Sequence, residues 1–197
     1  RYIGQADEST KMLLANLIRA SELVQSFKKV AVDQSSEARR TFAMRQYLQE
    51  ILLSLRPKLK RTQHQILIEG PDDLELNSFP GAFSQVVTNL IVNSLVHAFD
   101  DMEDGIIRIE FNQDGSLAVL HYHDNGKGID DQHLPRIFDP FFTTKRGQGG
   151  SGLGLHLVYN IVTSTLRGTI ECESEVGKGT HFIIRVPMNP ELSGATA

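Results

Sequence analysis

From about Asp7 to Val32, apolar residues recur at spacings of four and three. Leu13, Leu17, Ala20, Val24, Phe27 and Ala31 form one seam, widened by Leu14, Ile18 and Leu23. Lys11, Arg19, Glu22 and Lys28 fall off that seam. The pattern predicts a long amphipathic helix whose stripe must be covered, either by the domain that follows or by other helices. Asp33-Gln34-Ser35-Ser36-Glu37 has the composition of a linker. From Arg45 the pattern becomes that of a cored domain. Gln46 to Leu55 is predicted helical and stopped by Pro57. His64 to Glu69 reads as a strand ending in the Gly70-Pro71 turn. Pro80 to Phe99 is a strong helix: Pro80 suits its first turn, and Phe83, Val86, Val87, Leu90, Ile91, Ser94 and Leu95 keep the period.

Ile106–Phe111 and Leu117–Tyr122 flank Asn112-Gln113-Asp114-Gly115-Ser116, a predicted hairpin. Leu153 to Leu166 is predicted helical, with Gly168 as its C-terminal stop. Thr169–Glu173 and Thr180–Val186 make a second hairpin around Val176-Gly177-Lys178-Gly179, and residues 188–197 read as a frayed tail. The fold class that follows is α+β, a two-layer α/β sandwich: a mixed sheet covered on one face by helices and preceded by one long N-terminal helix. The expected division is residues 1–34 helix, 35–44 linker, 45–187 the main domain and 188–197 tail.

Composition narrows the function. The 197 residues suffice for one well-cored domain and an appendage. No apolar run approaches the ~20 residues that span a bilayer, and no signal-peptide pattern is present. The single Cys172 excludes a disulfide framework and fits a reducing compartment. Net charge −4 argues against a nucleic-acid binder. The charge is uneven, with 12 Lys/Arg against 6 Asp/Glu up to residue 61 and 8 against 18 beyond it, which suggests separate surfaces with separate roles. Seven of the 16 glycines lie within residues 126–154, and glycine concentrates where backbone bends tightly or approaches a ligand.

Four constellations carry candidate chemistry. Asn89, Asn93 and His97, four residues apart, share one face of a helix; amide oxygens there suit Mg²⁺, or the three form a satisfied core network. Asp124-Asn125-Gly126-Lys127-Gly128-Ile129 follows a strand, placing a carboxylate to accept from an exocyclic amine beside glycines that let a flat ring approach; a plain turn is the alternative. Phe138 to Gly150 runs from an apolar anchor, through Phe142, into a flexible basic segment with Lys145, the composition of a lid or of a solvated loop. Gly150-Ser151-Gly152-Leu153-Gly154-Leu155 opens an apolar helix, and its free amides make an anion site. No strand directly precedes this run, so it fails as a Rossmann fingerprint, and no Gly-Lys-[Ser/Thr] closes a Walker loop.

Taken in order, Asn89/Asn93, the Asp124–Ile129 box, the Phe138–Phe142 box, the Gly150–Leu155 box and Gly177-Lys178-Gly179-Thr180 resemble the catalytic ATP-binding domain of two-component sensor histidine kinases. That is the Bergerat or GHKL fold, shared with type II topoisomerases, the ninety-kilodalton heat-shock chaperone and mismatch-repair ATPases. The resemblance covers about residues 45–187, and residues 7–32 resemble the second helix of the dimerisation and phosphotransfer hairpin.

The resemblance implies ATP and Mg²⁺ as cofactors. Asn93 would ligate Mg²⁺ with Asn89 supporting metal and phosphates. Asp124 would accept from the adenine amine, Gly126 and Gly128 would shape the adenine pocket with Ile129, and His97 and Thr180 would lie beside the ring. Lys145 and the amides of Gly152 and Gly154, within the Gly150–Leu155 run, would hold phosphates beneath the lid. Val96 departs from the pattern, since many relatives carry Lys or Arg there, which shifts that role to Lys145, Arg146 or Gln148. The hydrolases of the superfamily have Glu where this chain has Asn89. An amide cannot take a proton from water, so phosphoryl transfer to a histidine is favoured over hydrolysis by an ATP-driven conformational clamp. A third alternative is a degenerate module that only docks partners.

None of the seven histidines stands on an acceptor helix: His64 is placed in a strand and the rest inside the ATP domain. The expectation is therefore a fragment that begins after the acceptor helix, able to bind nucleotide but not to autophosphorylate. Implied partners are its own acceptor-histidine helix, a second protomer met through the N-terminal helix, and a response regulator receiver domain. Nucleic acid and direct membrane contact are not expected. The implied location is cytoplasmic, with the parent protein anchored in the bacterial inner membrane.

Overall fold

The computed structural model describes residues 38–60, 62–100, 102–145 and 152–189. The helix expected over residues 7–32, the linker residues 33–37, Arg146, Gln148, Gly150, Ser151 and residues 190–197 lie outside the described residues. Within them the order is β1 (Arg40–Ala43), α1 (Met44–Leu59), β2 (Gln65–Glu69), β3 (Glu75–Ser78), α2 (Pro80–Asn93), β4 (Ile106–Asp114), β5 (Leu117–Asp124), α3 (Gly154–Asn160), β6 (Thr169–Glu175) and β7 (Gly179–Pro187).

The main sheet has strand order β2-β4-β5-β7-β6. It is mixed: β2 runs parallel to β4, and the remaining pairs are antiparallel. Alternation along the strands decides which face meets the helices. Ile107, Ile109 and Phe111 on β4, Ala118, Leu120 and Tyr122 on β5, and Phe182, Ile184 and Val186 on β7 enter one core. Met44, Tyr47, Leu48, Ile51 and Leu55 of α1, Phe83, Val86, Val87, Leu90 and Ile91 of α2, and Val158 of α3 complete it. The intervening strand positions, Arg108, Glu110, His121, His123, Glu171, Glu173, His181 and Arg185, belong to the opposite face. A two-stranded ribbon, β1 against β3, closes one side. Arg45 of α1 anchors the β2–β3 connection, donating to the carbonyls of Ile68 (3.2 Å) and Gly70 and pairing with Asp72. The Tyr47 hydroxyl donates to the Pro80 carbonyl at 3.0 Å, tying α1 to the start of α2.

Two of the three core helices, α2 and α3, end in π turns. Ser94–Ala98 continues α2 and Ile161–Thr165 continues α3. Their signatures are the Phe99 N–H to Ser94 carbonyl bond (3.0 Å) and the Leu166 N–H to Ile161 carbonyl bond (2.9 Å), each spanning five residues.

Several expectations are corrected. Pro57 does not stop α1: it sits inside the helix, near the C-terminal end, where only two further helical residues follow. His64 lies just before β2, and its Nδ1 accepts the Gly105 N–H at 2.9 Å. Arg40–Ala43, within the expected linker, is strand, as is Glu75–Ser78, which the sequence pattern left unassigned. The first hairpin turns at Gly115-Ser116 alone, so β4 reaches Asp114 and β5 reaches Asp124. At the end of α3's π turn the left-handed residue is Arg167 (φ 53°). Gly168 is required for closeness, since a Cβ there would stand 2.2 Å from the Arg185 carbonyl oxygen. The tail begins anchored: the Met188 N–H donates to Ser116 (2.9 Å) and its carbonyl accepts from Asn77 (3.0 Å).

Candidate functional site

The site assembles where α2, the end of β5, the β6–β7 turn and the start of α3 converge. Asp124, the last residue of β5, is buried at 6% exposure. A buried carboxylate must be hydrogen-bonded, and this one is. Its Oδ2 accepts from Ser94 Oγ at 2.7 Å, and its Oδ1 accepts from the N–H groups of Gly126 (3.1 Å) and Thr180 (3.3 Å). Because Ser94 gives its proton to Asp124, the Tyr122 hydroxyl, 2.9 Å away, is the donor to Ser94. Burial pushes the Tyr122 hydroxyl's pKa well above its usual value, which keeps that donor protonated. Burial likewise raises the Asp124 pKa, opposed by the bonds from Ser94, Gly126 and Thr180. The carboxylate is thus held in one orientation, with lone-pair capacity left on Oδ2 to accept a further N–H.

The backbone around it is close-packed. A Cβ on Gly126 would meet Ala98 Cβ at 2.5 Å, and Lys127 N–H donates to the Ala98 carbonyl (3.0 Å). Gly128 has φ 72° and lies against the Glu175 carbonyl. The Ile129 N–H donates to Ser174 Oγ at 2.8 Å. Ser174 in turn donates to the Gly179 carbonyl (2.8 Å), so the Thr180 hydroxyl, 3.1 Å away, donates to Ser174. The Asp124–Ile129 box is therefore laced to the β6–β7 turn.

One turn back along α2, Asn89 Nδ2 donates to the Gln85 carbonyl at 2.8 Å. Asn93 Nδ2 is buried with no hydrogen-bond partner among the described residues. Gly154, the first residue of α3, faces both: a Cβ there would stand 3.3 Å from Asn93 Oδ1 and 3.6 Å from Asn89 Oδ1. Two amide oxygens, an unpartnered amide donor and a glycine at a helix start form a cradle suited to a hard cation and phosphate oxygens.

Lys145 is brought to the π turn. Its Nζ donates to the Val96 carbonyl at 2.7 Å and pairs with Asp100 at 2.5 Å, with only 13% of the side chain exposed. Asp100 also faces Lys127 at 3.7 Å, and the hydrogen bond from Lys145 holds its carboxyl below the usual range. His97 lies in this cluster; burial first, then the charges of Lys145 and Lys127, lower its pKa.

Phe142 packs elsewhere, its ring 5.6 Å from that of His133 and 5.2 Å beneath the Arg136 guanidinium. Gly152 (φ 68°) rests on the Phe141 backbone, which is itself left-handed at φ 65°. Leu155 is partly buried against the core, and Leu153 is 42% exposed. Sequence reasoning missed Ser94, Tyr122, Ser174 and Asp100. Ser94 carried one signal, a hydroxyl inside an otherwise apolar stripe.

Residues 80–190 match the family model described as Histidine kinase-, DNA gyrase B-, and HSP90-like ATPase. The sensor histidine kinase RcsC of Salmonella typhimurium is 30% identical over 194 residues, covering 95% of this chain and 20% of its own length. The chain thus spans about a fifth of that relative. Among solved structures, the nucleotide-free catalytic domain of histidine kinase ThkA superposes with TM-score 0.69 at 26% identity, covering 78% of this chain and 98% of its own. ThkA in complex with the response regulator protein TrrA matches with TM-score 0.65 at 22% identity, covering 91% and 50%. Among the described residues no helix is long and apolar enough to cross a membrane.

Proposed function

Since the chain belongs to the histidine kinase-, DNA gyrase B- and HSP90-like ATPase family, we propose that it is the ATP-binding catalytic domain of a sensor histidine kinase. It binds ATP with Mg²⁺ and transfers the γ-phosphoryl group to a histidine on a separate helix, for relay to a response regulator. The observation that carries this reading is Asp124, buried and oriented by Ser94 and by two backbone N–H groups, with a lone pair left for the adenine amine.

Asn93 and Asn89 would hold Mg²⁺ and the phosphates, as the unpartnered Asn93 amide and the Gly154 cradle support. Bound there, Mg²⁺ supplies charge neutralisation at the phosphate oxygens. Lys145 takes up the cationic role left open at Val96, whose carbonyl it contacts. Asn89 cannot act as a base toward water, so the residues orient and exclude rather than hydrolyse. All seven histidines lie in the described domain, and we place the acceptor on a helix outside it. The partner protomer, the receiver domain and a cytoplasmic position belong to the same proposal.

Titration calorimetry with a non-hydrolysable ATP analogue and Mg²⁺ tests the pocket. Asp124→Asn is expected to weaken binding roughly 10–100-fold, the worth of a charge-assisted hydrogen bond, and Asn93→Ala to remove the Mg²⁺ dependence. Unchanged affinity in both variants refutes the assignment. Steady phosphate release, with no transfer to a separate polypeptide bearing an acceptor histidine, favours the conformational-clamp ATPase instead.

A further inference from the structure

Three of the seven histidines gather on the sheet face opposite the nucleotide residues. His121 and His123 occupy alternate positions of β5, and His181 on β7 is the direct cross-strand partner of His123. The rings of His123 and His181 stack 3.7 Å apart, and His121 Nδ1 lies 3.0 Å from His181 Nε2. One ligand nitrogen from each ring lies within 4.8 Å of the others. Glu173 on β6 is the register partner of His181, and its Oε2 is 3.5 Å from His181 Nδ1. Glu110 on β4 stands opposite His121. Arg108, opposite His123, pairs with Glu69 (3.5 Å) and Glu110 (3.6 Å).

We propose that His121, His123 and His181, with Glu173 as the adjoining carboxylate, form a binding site for a transition-metal dication of the zinc class. Three imidazoles, with water in the fourth position, are a donor set that such an ion selects, and a carboxylate beside one ring orients that ligand, whereas Mg²⁺ prefers all-oxygen surroundings. Bonds of about 2.0 Å in a tetrahedron set ligand atoms about 3.3 Å apart. Nitrogens already within 4.8 Å reach that spacing by side-chain rotation, with the paired strands held still. Metal ligation needs neutral imidazole. The groups facing the rings are Arg108 and Glu110 from β4 and Glu173 from β6. Rings that merely stack would fill the same space without binding an ion, and the experiment separates the two.

The full 197-residue chain, free of nucleotide, is titrated at near-neutral pH with Co²⁺ followed by visible absorption, and with Zn²⁺ by calorimetry. One equivalent is expected to bind with the d–d bands of a four-coordinate Co²⁺. His123→Gln and His181→Gln each abolish those bands, and Glu173→Gln weakens Zn²⁺ roughly 10–100-fold, the range of a residue that supports ligands. His156→Gln leaves both signals unchanged, because its ring is held by the Phe138 carbonyl and Asn160 on the helical side. Far-ultraviolet circular dichroism checks that each variant is folded. Octahedral Co²⁺ spectra in the unaltered chain, or a Zn²⁺ isotherm that the folded His variants share, overturn the proposal.

Discussion

Ser94 shows how much a single hydroxyl can govern. It stands between two buried groups, the Tyr122 hydroxyl and the Asp124 carboxylate, and satisfies both. Ser94→Ala leaves them short of partners and is expected to cost about 1–3 kcal/mol, read as a lowered urea midpoint at constant m-value. It also removes a bond that lowers the Asp124 pKa, so burial raises that pKa further. If Asp124 meets the base as proposed, nucleotide affinity should then fall away at a higher pH in the variant than in the parent when calorimetry is repeated at successively lower pH. An identical pH profile would mean that Asp124 does not meet the base. At this scale the place of Asp124 at a strand end and the tight backbone at Gly126 and Gly128 were legible from type and order, because such features are local. Ser94 and Tyr122 were not, because Ser94 reaches Asp124 across 30 residues of sequence and Tyr122 across 28, through a helix-on-sheet contact that no periodicity encodes.

Among the elements, those with strong apolar period were legible, and the short or irregular ones were not. β1 and β3 have four residues each, too few to display alternation. The π turns escaped because an apolar stripe reads alike whether a turn closes at four residues or at five. The consequence is concrete at Ser94–Ala98: the widened turn carries Ser94 to Asp124 and the Val96 carbonyl to Lys145 in one short stretch. Glycines in the two hairpins offer a matched comparison. Gly179 has φ +100°, and a Cβ there would stand 1.9 Å from the Asp124 carbonyl oxygen. Gly115 has φ +58° and open space around it. Gly115→Ala is expected to cost about 1–2 kcal/mol, the left-handed penalty alone. Gly179→Ala must also displace the β5 end, so its thermal midpoint should fall further and its nucleotide binding should weaken. Equal losses from both would show that the close approach at Gly179 is not needed.

For the molecule as a whole, the mixed sheet covered on one face by helices was legible from the order of strand and helix patterns. The histidine cluster was not, because register across β5 and β7 joins residues 58 to 60 apart. Two of its rings and His97 titrate with a definite sign. His97, His123 and His181 all have pKa values below the ordinary imidazole value of 6.5, chiefly through burial. In the interval between each lowered value and 6.5 the unfolded chain binds more protons than the folded one, so stability is lost as pH falls below 6.5. The melting temperature should therefore drop on acidification through that interval, and more gently in a His123→Gln/His181→Gln variant; parallel curves would refute this. The far edge of the sheet bears on a different matter. β6 is an edge strand carrying Glu171, Glu173 and Glu175 on alternate positions. A second copy aligning its own β6 there would bring glutamate against glutamate along the seam. Like charges set opposite one another deter strand-to-strand addition, and Glu173 carries most of that deterrence at this border, since Glu171 and Glu175 are paired with Arg185 (3.0 Å) and Lys178 (2.8 Å) of their own chain.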